Sequence, residues 1–137
     1  MDTRVEKTLE KRKKGYNCAQ AVACTYCDMV GVDEKTMFQM TEALGAGLAG
    51  SMQGPCGAVA AACVLASAKG STGNLEAPDS TKATYKLSGK ILEKFAEKNQ
   101  SVLCKELKGV GTGKVLRSCP GCIQDAAELV EEVLFNA

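Results

Sequence analysis

What most restricts the fold of this chain is the absence of any convincing strand alternation between its glycine breaks. Gly15, Gly31, the run Gly45–Gly54, Gly70 and the run Gly109–Gly113 divide it into segments whose apolar residues recur at helical spacing. β-Branched residues are scattered, so the fold is expected to be all-α. A first, mostly polar helix is expected over Asp2–Lys14. Asn17 then caps a second helix over Cys18–Val30, and Asp33 a third that runs to Leu44. Pro55, at a first helical position, opens a fourth helix over Cys56–Lys69. Asp79 caps a fifth reaching Lys98, with Leu87, Ile91, Leu92 and Phe95 at helical spacing. Ser101 starts a short sixth through Leu107. A last helix begins at Cys119-Pro120 and runs to Phe135, with Ala126, Leu129, Val130, Val133 and Leu134 on its inner side. With 137 residues, the expectation is one domain over 1–137, a compact bundle of about five to seven helices joined by Gly-rich loops.

The core available to such a bundle is made of small side chains: there is no Trp, with three Phe and three Tyr. Ala-rich helices of this kind would also suit a homodimer. Lysine plus arginine (17) nearly balances aspartate plus glutamate (16), which gives no reason to expect nucleic acid or an anionic membrane as partner. The one basic run, Lys11-Arg12-Lys13-Lys14, reads as a solvated helix end where cations complement the dipole. The charged N-terminus lacks the apolar region of a signal peptide, and the longest apolar stretch, Ala58–Ala68, is too short to span a bilayer. A cytoplasmic location is therefore expected.

In that reducing setting the eight cysteines point to metal binding, cluster binding or redox cycling before a disulfide framework. Histidine is absent, which excludes Ser-His and Cys-His catalysis and leaves thiolates as the ligands for any soft metal. The two Cys-x-x-Cys pairs are followed by Asp28 and Ile123, so neither is a haem attachment motif. Cys18, Cys56, Cys104 and Cys119 all fall at expected helix starts. There the unpaired N–H groups and the dipole stabilise a thiolate, by about 0.3–1 kcal/mol for the dipole alone. Cys24 and Cys27 lie roughly 240° and 180° around the second helix from Cys18. Cys63 lies about 10 Å along the fourth from Cys56, within reach of the same cavity. These three read as packing residues. Cys119-Pro-Gly-Cys122 has the spacing of a redox dithiol opening a helix, although the βαβ context of a thioredoxin-like fold is missing.

Taken in order, Gly15-Tyr-Asn-Cys18-Ala-Gln-Ala-Val, the Gly-rich stretch leading to Gly54-Pro-Cys56-Gly-Ala-Val, Cys104-Lys-Glu-Leu and Cys119-Pro resemble the C_GCAxxG_C_C family of redox-active proteins. The resemblance extends from about Gly15 to the last helix and maps the four hallmark cysteines to Cys18, Cys56, Cys104 and Cys119. The family is related to the N-terminal part of split-Soret cytochromes, which implies iron–sulfur binding by a cysteine set of this type. One departure is Ala61, which stands where the motif beginning at Cys56 has its final Gly.

These readings order the functional expectations. The first is a redox protein holding an iron–sulfur cluster on Cys18, Cys56, Cys104 and Cys119, or three of them, and exchanging electrons with a partner protein. The second is metal-free thiol–disulfide chemistry at Cys119/Cys122 or Cys56/Cys119, with Cys122 as the secondary redox candidate. A structural zinc site on Cys24, Cys27, Cys119 and Cys122 comes third, and a helical interaction module last. The glycines at 45, 47, 50, 54 and 57 are expected to let backbone N–H groups approach a cluster or thiolate. Although Gly45, Gly47 and Gly50 match G-x-G-x-x-G, no strand precedes them and Gly70 occupies the acid's place, so no nucleotide is expected. The Gly109–Lys114 stretch lacks the first Gly and the final Ser or Thr of a phosphate loop.

Overall fold

Local capping chemistry starts the helices that matter most. In the computed structural model, which describes residues 1–135, seven α-helices follow one another: α1 Val5–Lys14, α2 Cys18–Tyr26, α3 Glu34–Thr41, α4 Gly57–Gly70, α5 Thr81–Asn99, α6 Cys104–Lys108 and α7 Cys119–Val130. Asn17 caps α2 in a reciprocal box with Gln20, Asp33 caps α3, and the Ser118 hydroxyl accepts from the Gly121 N–H to cap α7. α2 and α3 each tighten into a 3₁₀ turn, at Cys27–Val30 and Glu42–Leu44, and α7 loosens into a π turn over Glu131–Phe135. The all-α bundle with Gly-rich connectors is as expected, and no strand occurs among the described residues.

Four helix starts differ from expectation: α1 begins at Val5 and not Asp2, α6 begins at Cys104 with Leu103 as its N-cap and not at Ser101, and two more differ in their caps. Pro55 does not open α4. It forms an isolated antiparallel bridge with Leu103, and Cys56 becomes the N-cap because its N–H donates to the Val102 carbonyl (2.7 Å). Asp79 does not cap α5, since its carboxylate accepts from the Thr72 hydroxyl. Ser80 takes the cap position instead.

α2 lies against α4 with every one of its residues buried, and α4 packs in turn on α5 and α7. These two packed helices bury mostly small residues, Ala19, Val22 and Ala23 on α2 and Ala58, Ala61 and Ala62 on α4, all without exposure. Tyr26, Met37, Leu65, Ile91, Phe95 and Ile123 fill the wider gaps. Each such side chain contributes about 1.5–3 kcal/mol of burial. No helix among the described residues is long and apolar enough to cross a membrane.

Candidate functional site

Four helix N-termini meet at one end of the bundle. Cys18, Cys104 and Cys119 are the first residues of α2, α6 and α7, and Cys56 is the N-cap of α4. All four line a cavity of about 300 Å³, and Cys122, one turn into α7, is the fifth sulfur on its wall. Cys18, Cys56, Cys104 and Cys122 are buried and Cys119 is half-buried. The segments bearing Cys56 and Cys104, far apart in sequence, are joined by backbone: Cys56 N–H donates to Val102 and Cys104 N–H to Gly54 (3.1 Å).

The Gly-rich segment closes one side. Ala46, Gly47, Leu48, Ala49 and Gly50 all have positive φ (49°, 72°, 71°, 53° and 69°), a left-handed turn in which three residues are not glycine. Each such residue costs about 1–2 kcal/mol. Hydrogen bonds hold the turn, among them Ala49 N–H to Ala43 (2.7 Å), Met52 N–H to Ala46 (2.9 Å) and Gly54 N–H to Gly47 (2.8 Å). Its result is that the Ala46 N–H points at Cys18 Sγ, 3.4 Å away.

Three glycines are required by close approach. A Cβ on Gly57 would stand 2.4 Å from Cys18 Sγ, one on Gly47 2.7 Å from the Cys104 Cβ, and one on Gly45 2.7 Å from the Asn17 side chain. Asn17 thus caps α2, packs on Gly45 and donates to the Glu42 carbonyl (2.8 Å), tying the start of α2 to the loop. Of the expected loop glycines, Gly45, Gly50 and Gly57 line the cavity, while Gly47 and Gly54 support it from behind. Ala61 is fully buried within α4 and lies off the cavity wall, so the departure from the motif falls on helix packing.

Electrostatically the sulfurs act on one another in two pairs. Cys18 is held down to about 5 by the Cys119 thiol, against the opposing effect of burial. The Ala46 and Ala19 N–H groups and the Lys108 ammonium add to the stabilisation. Cys119, as the proton-bearing donor, is pushed above the usual thiol range. Cys56 is likewise lowered by the Cys122 thiol, against burial, and by the Val59 and Ala58 N–H groups of the first turn of α4. Cys122 is correspondingly raised. Burial pushes Cys104 up, partly offset by Lys108. Cys18 is thus coupled to Cys119 and Cys56 to Cys122, and all four line the same cavity wall as Cys104.

The other three cysteines lie off the cavity. Cys24 sits 3.8 Å from the Glu34 carbonyl, Cys27 bonds back to the Cys24 carbonyl, and burial raises both thiols and that of Cys63. The four sulfurs of the expected zinc set are consequently not assembled, since Cys119 and Cys122 face the cavity and Cys24 and Cys27 do not. Among the described residues no three metal-ligating side chains converge as a single ion requires.

The cavity wall also carries charge that sequence reasoning missed. Arg12, from the run expected to be a solvated helix end, lines it together with Lys108 and Arg117. Glu42 is its one carboxylate among the described residues. The Arg117 guanidinium is gripped by Asp125, 1 % exposed, with Nε and Nη2 donating to the two carboxylate oxygens (3.0 and 3.1 Å). Lys98 (2.6 Å) and Asn99 (3.1 Å) complete the Asp125 shell.

A model of the family described as "Putative redox-active protein (C_GCAxxG_C_C)" matches residues 16–133. The chain belongs to this family. The matched span begins just before Cys18 and ends within the turn after α7, so it takes in every cavity sulfur. No curated protein and no solved structure gives a significant match.

Proposed function

We propose that the chain is a redox protein whose cavity binds an iron–sulfur cluster through Cys18, Cys56, Cys104 and Cys119. The observation that carries this reading is the convergence of these four cysteines, from four separate helix N-termini, on one cavity. The donor set fits: the ligand atoms are soft thiols, two of them, Cys18 and Cys56, held below the usual thiol range, and the Ala46 N–H donates to the Cys18 sulfur. A cluster, when bound, supplies one-electron transfer. The chain's own residues hold the ligands in place through the Pro55–Leu103 bridge, limit water through the left-handed turn, and balance thiolate charge with Arg12, Lys108 and Arg117.

The decisive experiment is anaerobic purification followed by a visible spectrum and analysis of iron, acid-labile sulfide and zinc. Iron and sulfide in near-stoichiometric amounts, lost in Cys→Ser variants of the four positions and retained in Cys24→Ser, support the reading. A colourless chain that also fails reconstitution with iron and sulfide refutes it.

The gathering of five sulfurs on one cavity wall favours a second reading, metal-free thiol–disulfide chemistry, in which two cavity thiols form an S–S bond, pass two electrons to a partner disulfide that is reduced to two thiols, and hand it their two protons. Thiol counts that fall by two or four on mild oxidation of a metal-free chain support it.

A further inference from the structure

Three cations from three different parts of the chain meet at the cysteine cavity, though the whole protein carries a formal charge of only +1. Arg12 comes from the last turn of α1, Lys108 from the end of α6, and Arg117 from the segment before α7. Among the described residues neither Arg12 nor Lys108 takes part in an ion pair. The surface carboxylates pair instead with Arg4, Lys11 and Lys94. Arg117 is paired, but with a buried carboxylate behind it. Asp125 takes up Nε and one Nη2 bond, the other guanidinium N–H groups have no partner among the described residues, and Arg117 lines the cavity. An arginine anchored by a buried carboxylate is pre-oriented, so presenting its free donors to a ligand loses little side-chain entropy.

Two of these cations share the cavity wall with the sulfurs whose charged forms they favour, Lys108 with Cys18 and Cys104, and Arg12 with Cys119. A reactant approaching Cys18 therefore meets three positive groups against Glu42 and the Cys56 sulfur, a net attraction for negative charge.

We propose that Arg12, Lys108 and Arg117 form an anion subsite at the mouth of the cavity, which takes a small carboxylate- or sulfonate-bearing molecule and holds it against Cys18 and Cys119. This goes beyond the redox reading and does not depend on the cluster. Iron and sulfide analysis decides the cluster, whereas charge selectivity decides the subsite.

The test compares alkylation of the full, reduced chain by iodoacetate, which is anionic, and iodoacetamide, which is neutral. Chelation precedes it where iron is present, and peptide mapping reads the extent at Cys18. In both reactions the sulfur displaces iodide and a thioether forms, so the ratio of rates cancels the thiolate fraction. Relative to the same ratio for a free cysteine derivative, the iodoacetate preference should be raised on the order of tenfold or more. Lys108→Gln and Arg12→Gln should each lower it by about fivefold, the effect of one unit charge at about 4 Å in water. Lys94→Gln, on a distant ion pair, should leave it unchanged. Succinate added at constant ionic strength should reduce the preference saturably. A normalised ratio near one overturns the proposal. So does a raised ratio that responds to ionic strength but not to succinate, because the charges would then act as a diffuse field and not as a site.

Discussion

Replacing Gly57 by Ala tests whether sulfur packing or helix propensity governs the start of α4. By propensity alone the change stabilises, since Ala exceeds Gly by about 1 kcal/mol in a helix interior and by less in the first turn. The structure predicts the opposite. The new Cβ would lie 2.4 Å from Cys18 Sγ and 3.0 Å from the Leu44 carbonyl, while a relaxed contact is about 3.5–4.0 Å. Cys18 is 7 % exposed and its sulfur accepts from the Ala46 N–H, so it cannot turn aside without losing that bond. Overpacking of this kind costs about 1–3 kcal/mol, leaving a net loss of about 1–2 kcal/mol.

Gly89, inside α5, supplies the control: a Cβ there meets nothing within 4 Å, so Gly89→Ala should gain about 0.5–1 kcal/mol. Urea unfolding under reducing, anaerobic conditions should place the two variants about 2–3 kcal/mol apart with opposite signs. Thermal midpoints should shift oppositely, by about 4 °C per kcal/mol. Thiolate absorbance should also show Cys18 ionising at higher pH in Gly57→Ala. A Gly57→Ala protein stabilised like Gly89→Ala, with Cys18 ionisation unmoved, would refute the packing argument.

Asp125→Ala should destabilise by about 2–3 kcal/mol in the same assay, because it strips the buried partner from Arg117, Lys98 and Asn99. Both cations are part-exposed and can rehydrate, which keeps the loss below that of a fully buried pair. In the metal-free chain, stability should rise with pH between about 5 and 9. The unfolded Cys18 thiol keeps its proton up to about 9, whereas the folded one, with its pKa lowered to about 5, has already released it. The gain is fully present above 9 and lost as pH falls through 5, and Cys18→Ser should flatten the slope. Tyr26→Phe removes a hydroxyl that donates to Glu131 and should cost about 1 kcal/mol, read by urea unfolding.

What was legible in the sequence is what local chemistry decides. Asn17 and Ser118 cap their helices from within a few residues, so the positions of Cys18 and Cys119 at helix starts could be read directly. Cys104 and Cys56 were legible as helix starts too. The reason they meet was not, because it rests on hydrogen bonds between residues 54–56 and 102–104 that no local pattern announces. The glycines at 45, 47 and 50 flagged an unusual loop, but the left-handed conformation of Ala46, Leu48 and Ala49 is held, against their own preference, by hydrogen bonds across the loop such as Ala49 to Ala43 and Met52 to Ala46, which no residue type announces. Arg12, Lys108 and Arg117 were illegible for a simpler reason. A cation over a cavity and a cation in water have the same sequence signature, and only Asp125, a carboxylate one turn beyond Cys122, hints that one is anchored.

The small-residue core and the sulfur site depend on one another. Helix axes lie about 8–10 Å apart according to the side chains between them. With Ala19, Ala23, Ala58 and Ala62 fully buried on these two packed helices, α2 and α4 belong at the near end of that range. Both helices begin at the cavity, so their separation sets how far Cys18 stands from Cys56 and brings Cys18 Sγ over Gly57. Larger residues at those alanines could be accommodated only by moving the helices apart. The site would then open even if every cysteine, cap and glycine were kept. The scarcity of aromatic residues, which looks like a weakness in a chain of this size, is therefore a geometric condition for the sulfurs to meet.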